Sequence, residues 1–230
     1  MATHSRFAAF DSMCGFASPG ARCRGVELVA SINPKLKPRP TLLPRLFLFL
    51  AGLGLGGCQH VIQPPEAVSD PVSVFVIDYG RHASLALPKE ENAGLVEWSW
   101  GDWNWFALER TGVAEGLQAL FASPQSTLSR RELPPVEDAK KLAARVGTEE
   151  VLVLDVERER ARALQRHLEA RWLRRREEAV KHPSGRIFVP DDARYSLFNN
   201  SVQEVARWLE ALGAEVSGMG VTANFKLREP

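Results

Sequence analysis

Short apolar blocks with strand spacing alternate with helical stripes from residue 72 onward. Val72-Ser-Val-Phe-Val-Ile77 is β-branched and nearly continuous, the pattern of a buried strand, and Ala83-Ser-Leu-Ala-Leu87 follows a turn at Tyr79-Gly80 and stops at Pro88. The two predict a hairpin. Gly94-Leu-Val-Glu-Trp-Ser-Trp100 predicts a third strand ended by Gly101-Asp102, and Asn104 to Leu108 a fourth strand or a turn onto the next helix. Helical spacing appears over Val113 to Phe121 and over Glu137 to Val146, the latter bounded by Pro134-Pro135 and Gly147. Glu150 to Asp155 returns to a strand pattern. The long charged stretch Glu157 to Lys181 carries Leu164, Leu168 and Trp172 at i, i+4 and i+8, one apolar stripe on an otherwise solvated helix. Ser201 to Leu212 predicts a helix closed by Gly213, and Val221 to Leu227 a last strand. These elements predict one α+β domain over residues 72–230, an antiparallel sheet with packed helices.

Upstream, the pattern changes character. Lys35, Lys37, Arg39 and Arg45 precede Leu46-Phe-Leu-Phe-Leu-Ala-Gly-Leu-Gly-Leu-Gly-Gly57, and Cys58 follows. The apolar run is far shorter than the ~20 residues that span a bilayer as a helix and has the length of a signal-peptide core. Its glycines make a poor helix interior. Leu55-Gly-Gly-Cys58 resembles the lipobox of bacterial lipoproteins, which implies cleavage before Cys58 and acylation of its thiol. Gln59 in place of Asp at the next position implies, by the same resemblance, an outer-membrane lipoprotein facing the periplasm of a Gram-negative bacterium. Residues 1–57 are thus read as a signal-peptide region with an over-extended start or a long basic segment. Residues 58–71, with Pro64, Pro65 and Pro71, are read as the lipidated Cys and an extended tether.

Charge and cysteine content narrow the chemistry further. Residues 1–57 carry seven Lys/Arg against two Asp/Glu, so the rest of the chain holds 22 basic against 26 acidic groups and has no cationic excess with which to bind nucleic acid. Cys14 and Cys23 lie upstream of the expected cut, which leaves Cys58 alone in the mature chain and no thiol for a disulfide, a metal or nucleophilic attack. His60, His167 and His182 show no ligand spacing, and neither a metal nor any other cofactor is implied.

The ordered motifs carry a resemblance. Tyr79-Gly80-Arg81-His82 follows one strand, Glu97-Trp98-Ser99-Trp100-Gly101-Asp102 lies on another, and Arg194-Tyr-Ser-Leu-Phe-Asn199-Asn200-Ser201 leads into the last helix. Together they resemble an uncharacterised bacterial family, sometimes encoded near urease genes, and their order is similar to that of permuted papain-like proteins of the NlpC type. In such proteins a His and a polar orienter on consecutive strands precede a Cys at a helix N-terminus. The resemblance implies Ser201 at the nucleophile position, His82 as general base and Glu97 as its orienter. A hydroxyl in place of a thiol is far harder to activate, which implies a degenerate site.

Each candidate has a purely structural reading beside the functional one. Ser201-Val-Gln-Glu204 has the form of a capping box, so Ser201 is also read as a helix N-cap. His82 is also read as a structural imidazole bonded to Glu97. Four of the six Trp fall between Trp98 and Trp105, and Trp98 and Trp100 share a strand face. Aromatic platforms bind sugars, so Trp98, Trp100, Asp102, Asn199 and Asn200 are candidate ligand-binding residues, with core packing as the alternative. Arg174-Arg175-Arg176 reads as a solvated helix face offset by Glu177 and Glu178. The expected function is a membrane-anchored, degenerate papain-like domain that binds peptidoglycan or an envelope protein. An active serine amidase or acyl hydrolase using Ser201, His82 and Glu97 is the alternative, and a purely structural envelope protein the third.

Overall fold

A computed structural model describes residues 59–90, 93–112, 116, 123, 125–148, 150–218 and 220–228. The expected signal peptide, Cys14, Cys23, Cys58 and nearly all of the helix expected over Val113 to Phe121 lie outside the described residues.

Ten strands are described: β1 His60–Gln63, β2 Pro71–Asp78, β3 Ala83–Pro88, β4 Leu95–Asp102, β5 Ser126–Leu133, β6 Glu150–Glu157, β7 Val180–Lys181, β8 Ile187–Asp191, β9 Glu215–Ser217 and β10 Phe225–Leu227. Three α-helices accompany them: α1 Ala139–Val146, α2 Arg158–Leu173 and α3 Ser201–Ala211. Seven strands form one antiparallel sheet in the order β6-β2-β3-β4-β5-β8-β7, and β10-β1-β9 form a small second sheet. The chain is therefore α+β with a predominantly antiparallel sheet.

The hairpin expected at Tyr79-Gly80 is present, and Gly80 takes φ +80, a conformation few L residues adopt at low cost. Ala83, Leu85 and Leu87 of β3 share one face of the sheet with Val96, Trp98 and Trp100 of β4, and α2 and α3 pack on that face. The expected stripe of α2 supplies Leu164, Leu168 and Trp172 there, joined by Ala161. On the opposite face, Phe75, Ile77, Ala86, Leu95 and Leu133 pack with Leu142 of α1. Asp138 caps α1 by accepting from the Lys141 N–H at 2.7 Å, and Gly147 closes it at φ +77.

The structure corrects the tether and the long helix, decides between the two readings of Asn104 to Leu108, and adds strands. Residues 59–71 are not simply a tether: β1 is the central strand of the small sheet, with Ile62 fully buried and His60 3% exposed, so the folded domain begins immediately after Cys58. Of the two readings of Asn104 to Leu108, the turn is present and the strand is not. Asp102 accepts from the Trp105 N–H at 2.7 Å and winds Trp103–Ala107 into a π-helical turn. The helix expected to reach Lys181 ends at Leu173, where a 3₁₀ turn at Arg176–Glu178 and strand β7 follow. Strands β5, β8 and β9 have no counterpart in the sequence pattern, because Ser-Thr-Leu-Ser-Arg-Arg and the short segments around Phe188 and Val216 lack a long apolar alternation.

Candidate functional site

Glu97 sits in the middle of β4 with no exposed surface, and the register explains its surroundings. Arg131 lies directly opposite on β5, Ser84 is one diagonal step away on β3, and Arg186 precedes β8 on the same face. Arg131 Nε donates to Glu97 Oε2 at 2.7 Å, and Arg186 Nη2 to Oε1 at 2.5 Å. The Ser84 hydroxyl and the Tyr79 phenol both donate to Oε1, at 2.7 and 2.8 Å. Burial alone would raise the Glu97 pKa, but Arg186 and Arg131, helped by the two hydroxyls, outweigh it and hold the carboxyl below its usual range. Tyr79 is pushed up to about 12 by burial and then by the adjacent Glu97 charge, so it stays a donor. The Arg186 guanidinium also lies over the Tyr79 ring, 5.6 Å from its centroid.

His82 shares this face. Its ring is 4.8 Å from that of Phe106 and 6.3 Å from that of Tyr79, centroid to centroid. Phe106 can lie there because Gly101 has no side chain: a Cβ at Gly101 would come within 2.5 Å of the Phe106 ring. The residue keeps some surface, yet Nδ1 is shut from water and has no partner. Burial and then Arg186 lower its pKa to about 3, against the smaller opposing pull of Glu97, so the imidazole is neutral at pH 7. No hydrogen bond joins His82 to Glu97. The expected role of Glu97 as orienter is thus corrected: both carboxylate oxygens are already occupied by arginines and hydroxyls.

Ser201 belongs to the other side. It begins α3, which packs on the Trp98 and Trp100 face, and its hydroxyl accepts the Ala83 N–H at 3.4 Å. His82 precedes β3 and its ring lies by Tyr79 and Phe106, so the residue beside Ser201 is the neighbour of the expected base and not the base itself. Ser201 is 1% exposed, and its expected capping role is corrected as well. Asn200 is the N-cap, accepting from the Val202 N–H at 2.8 Å, and Gln203 reaches back to the Asn200 N–H at 3.3 Å. The capping box is therefore real but begins one residue earlier. Glu204 turns instead to Arg171 and Arg207.

The candidate ligand-binding residues are all engaged. Trp98 and Trp100 are buried, and their indole N–H groups donate to Gln165 and Asp191 at 2.9 and 2.8 Å. Asp102 is 2% exposed and caps the π-helical turn. The Asn199 amide donates to the Arg194 carbonyl at 2.7 Å and that of Asn200 to the Leu197 carbonyl at 2.9 Å, so both hold their own loop in shape. None of the five is presented as an open sugar platform. Sequence reasoning missed the second buried network, in which Arg171 of α2 grips Asp191 through Nε at 2.9 Å and Nη2 at 2.5 Å and Glu204 through Nη1 at 2.6 Å. Burial opposes the charge on Arg171, but its two carboxylates raise its pKa overall. Nothing local in the sequence marks Arg171 apart from the other arginines of its helix.

An open groove runs along α2, beside Lys89. One part, of about 390 Å³, is lined by Val72, Lys89, Arg158, Arg162, Gln165 and Arg166, and an adjoining part of about 430 Å³ reaches Leu173. Arg158 pairs with Asp70, Arg166 with Glu159 and Lys89 with Glu132, while Arg162 is exposed and forms no ion pair among the described residues. Among the described residues no three His, Cys, Asp or Glu side chains converge as a metal site requires. The arrangement can hold charge rigidly in the core and offer guanidinium groups at the surface. No hydrogen bond joins His82 to Ser201. The chain matches no protein-family model, no curated protein and no solved structure.

Proposed function

We propose that this chain is an envelope lipoprotein, acylated at Cys58 and held at the periplasmic face of the outer membrane, whose domain binds an acidic envelope ligand without hydrolysing it. The observation that carries the non-hydrolytic part is the division of His82 and Ser201 between opposite faces of one sheet. A nucleophile and its base must be within hydrogen-bond reach, and here the Ser201 hydroxyl accepts a backbone N–H while no hydrogen bond joins it to His82. The permuted papain-like reading of the fold belongs to this proposal. It draws on the antiparallel sheet and on a helix N-terminus set against β3, and in that reading the frame persists without its site. Peptidoglycan, with its peptide carboxylates, fits the guanidinium groups of the α2 groove, Arg162 foremost.

Co-sedimentation of the purified protein with peptidoglycan sacculi tests the binding. Wild type is expected in the pellet, and Arg162→Glu largely in the supernatant. Equal pelleting of both would remove the groove as the site. Hydrolysis of sacculi or acyl esters that is abolished by Ser201→Ala would restore the serine-hydrolase alternative.

A further inference from the structure

The folded domain leaves almost no chain between itself and Cys58. Gln59 abuts the backbone of Gly218, and a Cβ at Gly218 would collide with the Gln59 carbonyl. His60 is anchored on its N–H by the Asn224 carbonyl at 2.9 Å, and its ring Nε2 lies 3.4 Å from the Gly220 carbonyl. Gln203, in the first turn of α3, donates to the same Gly220 carbonyl at 2.6 Å. The exit of the chain toward Cys58, the stretch carrying Gly218 and Gly220, and the start of α3 therefore form one end of the domain.

Two large apolar side chains are exposed at that end. Phe198, in the turn before α3, is 83% exposed, and Val221, next to Gly220 in the chain, is 46% exposed. Phe198 is not on a loose strand of chain. Its turn is closed by paired backbone bonds between Ser196 and Asn199 at 3.0 and 3.1 Å, by the two Asn side chains, and by Arg207 donating to Asn199 at 2.8 Å. A rigid turn with an outward Phe at its tip is built to present that ring. Lys226 of β10 is exposed and lies opposite Val61, one residue further into β1 than His60.

Resting on the reading of Cys58 as acylated, we infer that Phe198 and Val221 form a bilayer-facing patch that seats the domain directly on the lipid surface. Acyl chains attached one residue before Gln59 bring the membrane to this end of the domain, and an aromatic and a branched apolar side chain suit the apolar boundary of a bilayer. The domain is then held in one orientation, which turns the α2 groove away from the lipid. That groove lies past Lys89, at the end of β3 remote from Ala83 and Ser201.

The test uses the full chain, purified from membranes and reconstituted in phosphatidylethanolamine and phosphatidylglycerol vesicles with brominated acyl chains. Phe198→Trp and Val221→Trp each add an indole at the patch, and Leu173→Trp adds one in the groove as a control. The expected result is bromine quenching of the added emission for the first two variants and none for Leu173→Trp. A protein that carries the acyl modification by mass and floats with the vesicles, but whose patch indoles are unquenched, overturns the seating while the anchor stands. A protein that carries no acyl group and does not float overturns both. A retained 46–57 segment, seen in the mass, also overturns the proposal, since that segment would then be the occupant of the membrane.

Discussion

The guanidinium of Arg186 reaches Glu97 Oε1 at 2.5 Å from the entry to β8, 89 residues further along the chain, while Arg131 closes on Oε2 from the other side. Glu97 is thereby the hub on which β2, β3, β4, β5 and the start of β8 are fastened across one face of the sheet. A buried carboxylate with two cations contributes less than its Coulomb attraction suggests, because all three groups were removed from water. Deleting the carboxylate is a different matter, since it leaves two cations without a counter-charge.

Glu97→Gln is therefore expected to destabilise the domain by about 3–5 kcal/mol, measured by urea denaturation, whereas Glu159→Gln on the solvated face of α2 is expected to cost under about 1 kcal/mol. The pH dependence follows from the depressed Glu97 pKa. Its contribution is fully present above the unfolded value of about 4.3 and is lost as pH falls through the lower folded value. Equal losses for the two variants would remove Glu97 from its structural role.

His82 acts in a higher pH range. Its pKa falls from 6.5 to about 3 in the folded chain, so below pH 6.5 the unfolded chain binds a proton that the folded one refuses. Stability should fall as pH drops from 6.5 toward 3, by up to about 1.4 kcal/mol per pH unit, with no contribution above 6.5. His60, also lowered by burial, adds a slope of the same sign. His82→Gln is expected to flatten the curve between pH 6 and 5 (about the upper part of this window), and an unchanged slope would mean that the imidazole is free to protonate in place.

The position of the cap separates Asn200 from Ser201. Asn200→Ala should cost about 1 kcal/mol by removing the side-chain acceptor at the start of α3. Ser201→Cys, at a site 1% exposed, should leave a thiol that an alkylating reagent reaches only through unfolding, with a labelling rate that follows the denaturation curve. Rapid native labelling with a depressed pKa would place a working base beside it.

Gly218 offers a test of the junction between the small sheet and the exit of the chain. At φ +104, with the Gln59 backbone in the way of any Cβ, Gly218→Ala should destabilise the domain by well over the roughly 1 kcal/mol of an ordinary Gly to Ala change at positive φ. Amide exchange of His60 to Gln63 should rise in the same variant. A neutral substitution would show that β1 is not held as described.

What the sequence determined by itself is what has a local period. The β-branched run of β2, the apolar run of β3, the turn at Gly80, and the Leu164, Leu168 and Trp172 stripe were all readable because alternation and 3.6-residue spacing involve neighbours in the chain. The interruption of α2 after Leu173, the strand β1 among prolines and the pairing of β5 with β8 had no such signature; their stability comes from partners far along the chain. The candidate site depends on tertiary pairing in the same way. His82, Glu97 and Ser201 carry suitable chemistry in a suitable order, but whether a strand residue meets a helix residue depends on which face of the sheet the helix covers. Only the tertiary structure decided that, when α3 settled on the Trp98 face and met Ala83, leaving His82 and Glu97 on the other side with Arg186 and Arg131. A shift of one residue along a strand reverses the face, and composition and spacing do not set that parity.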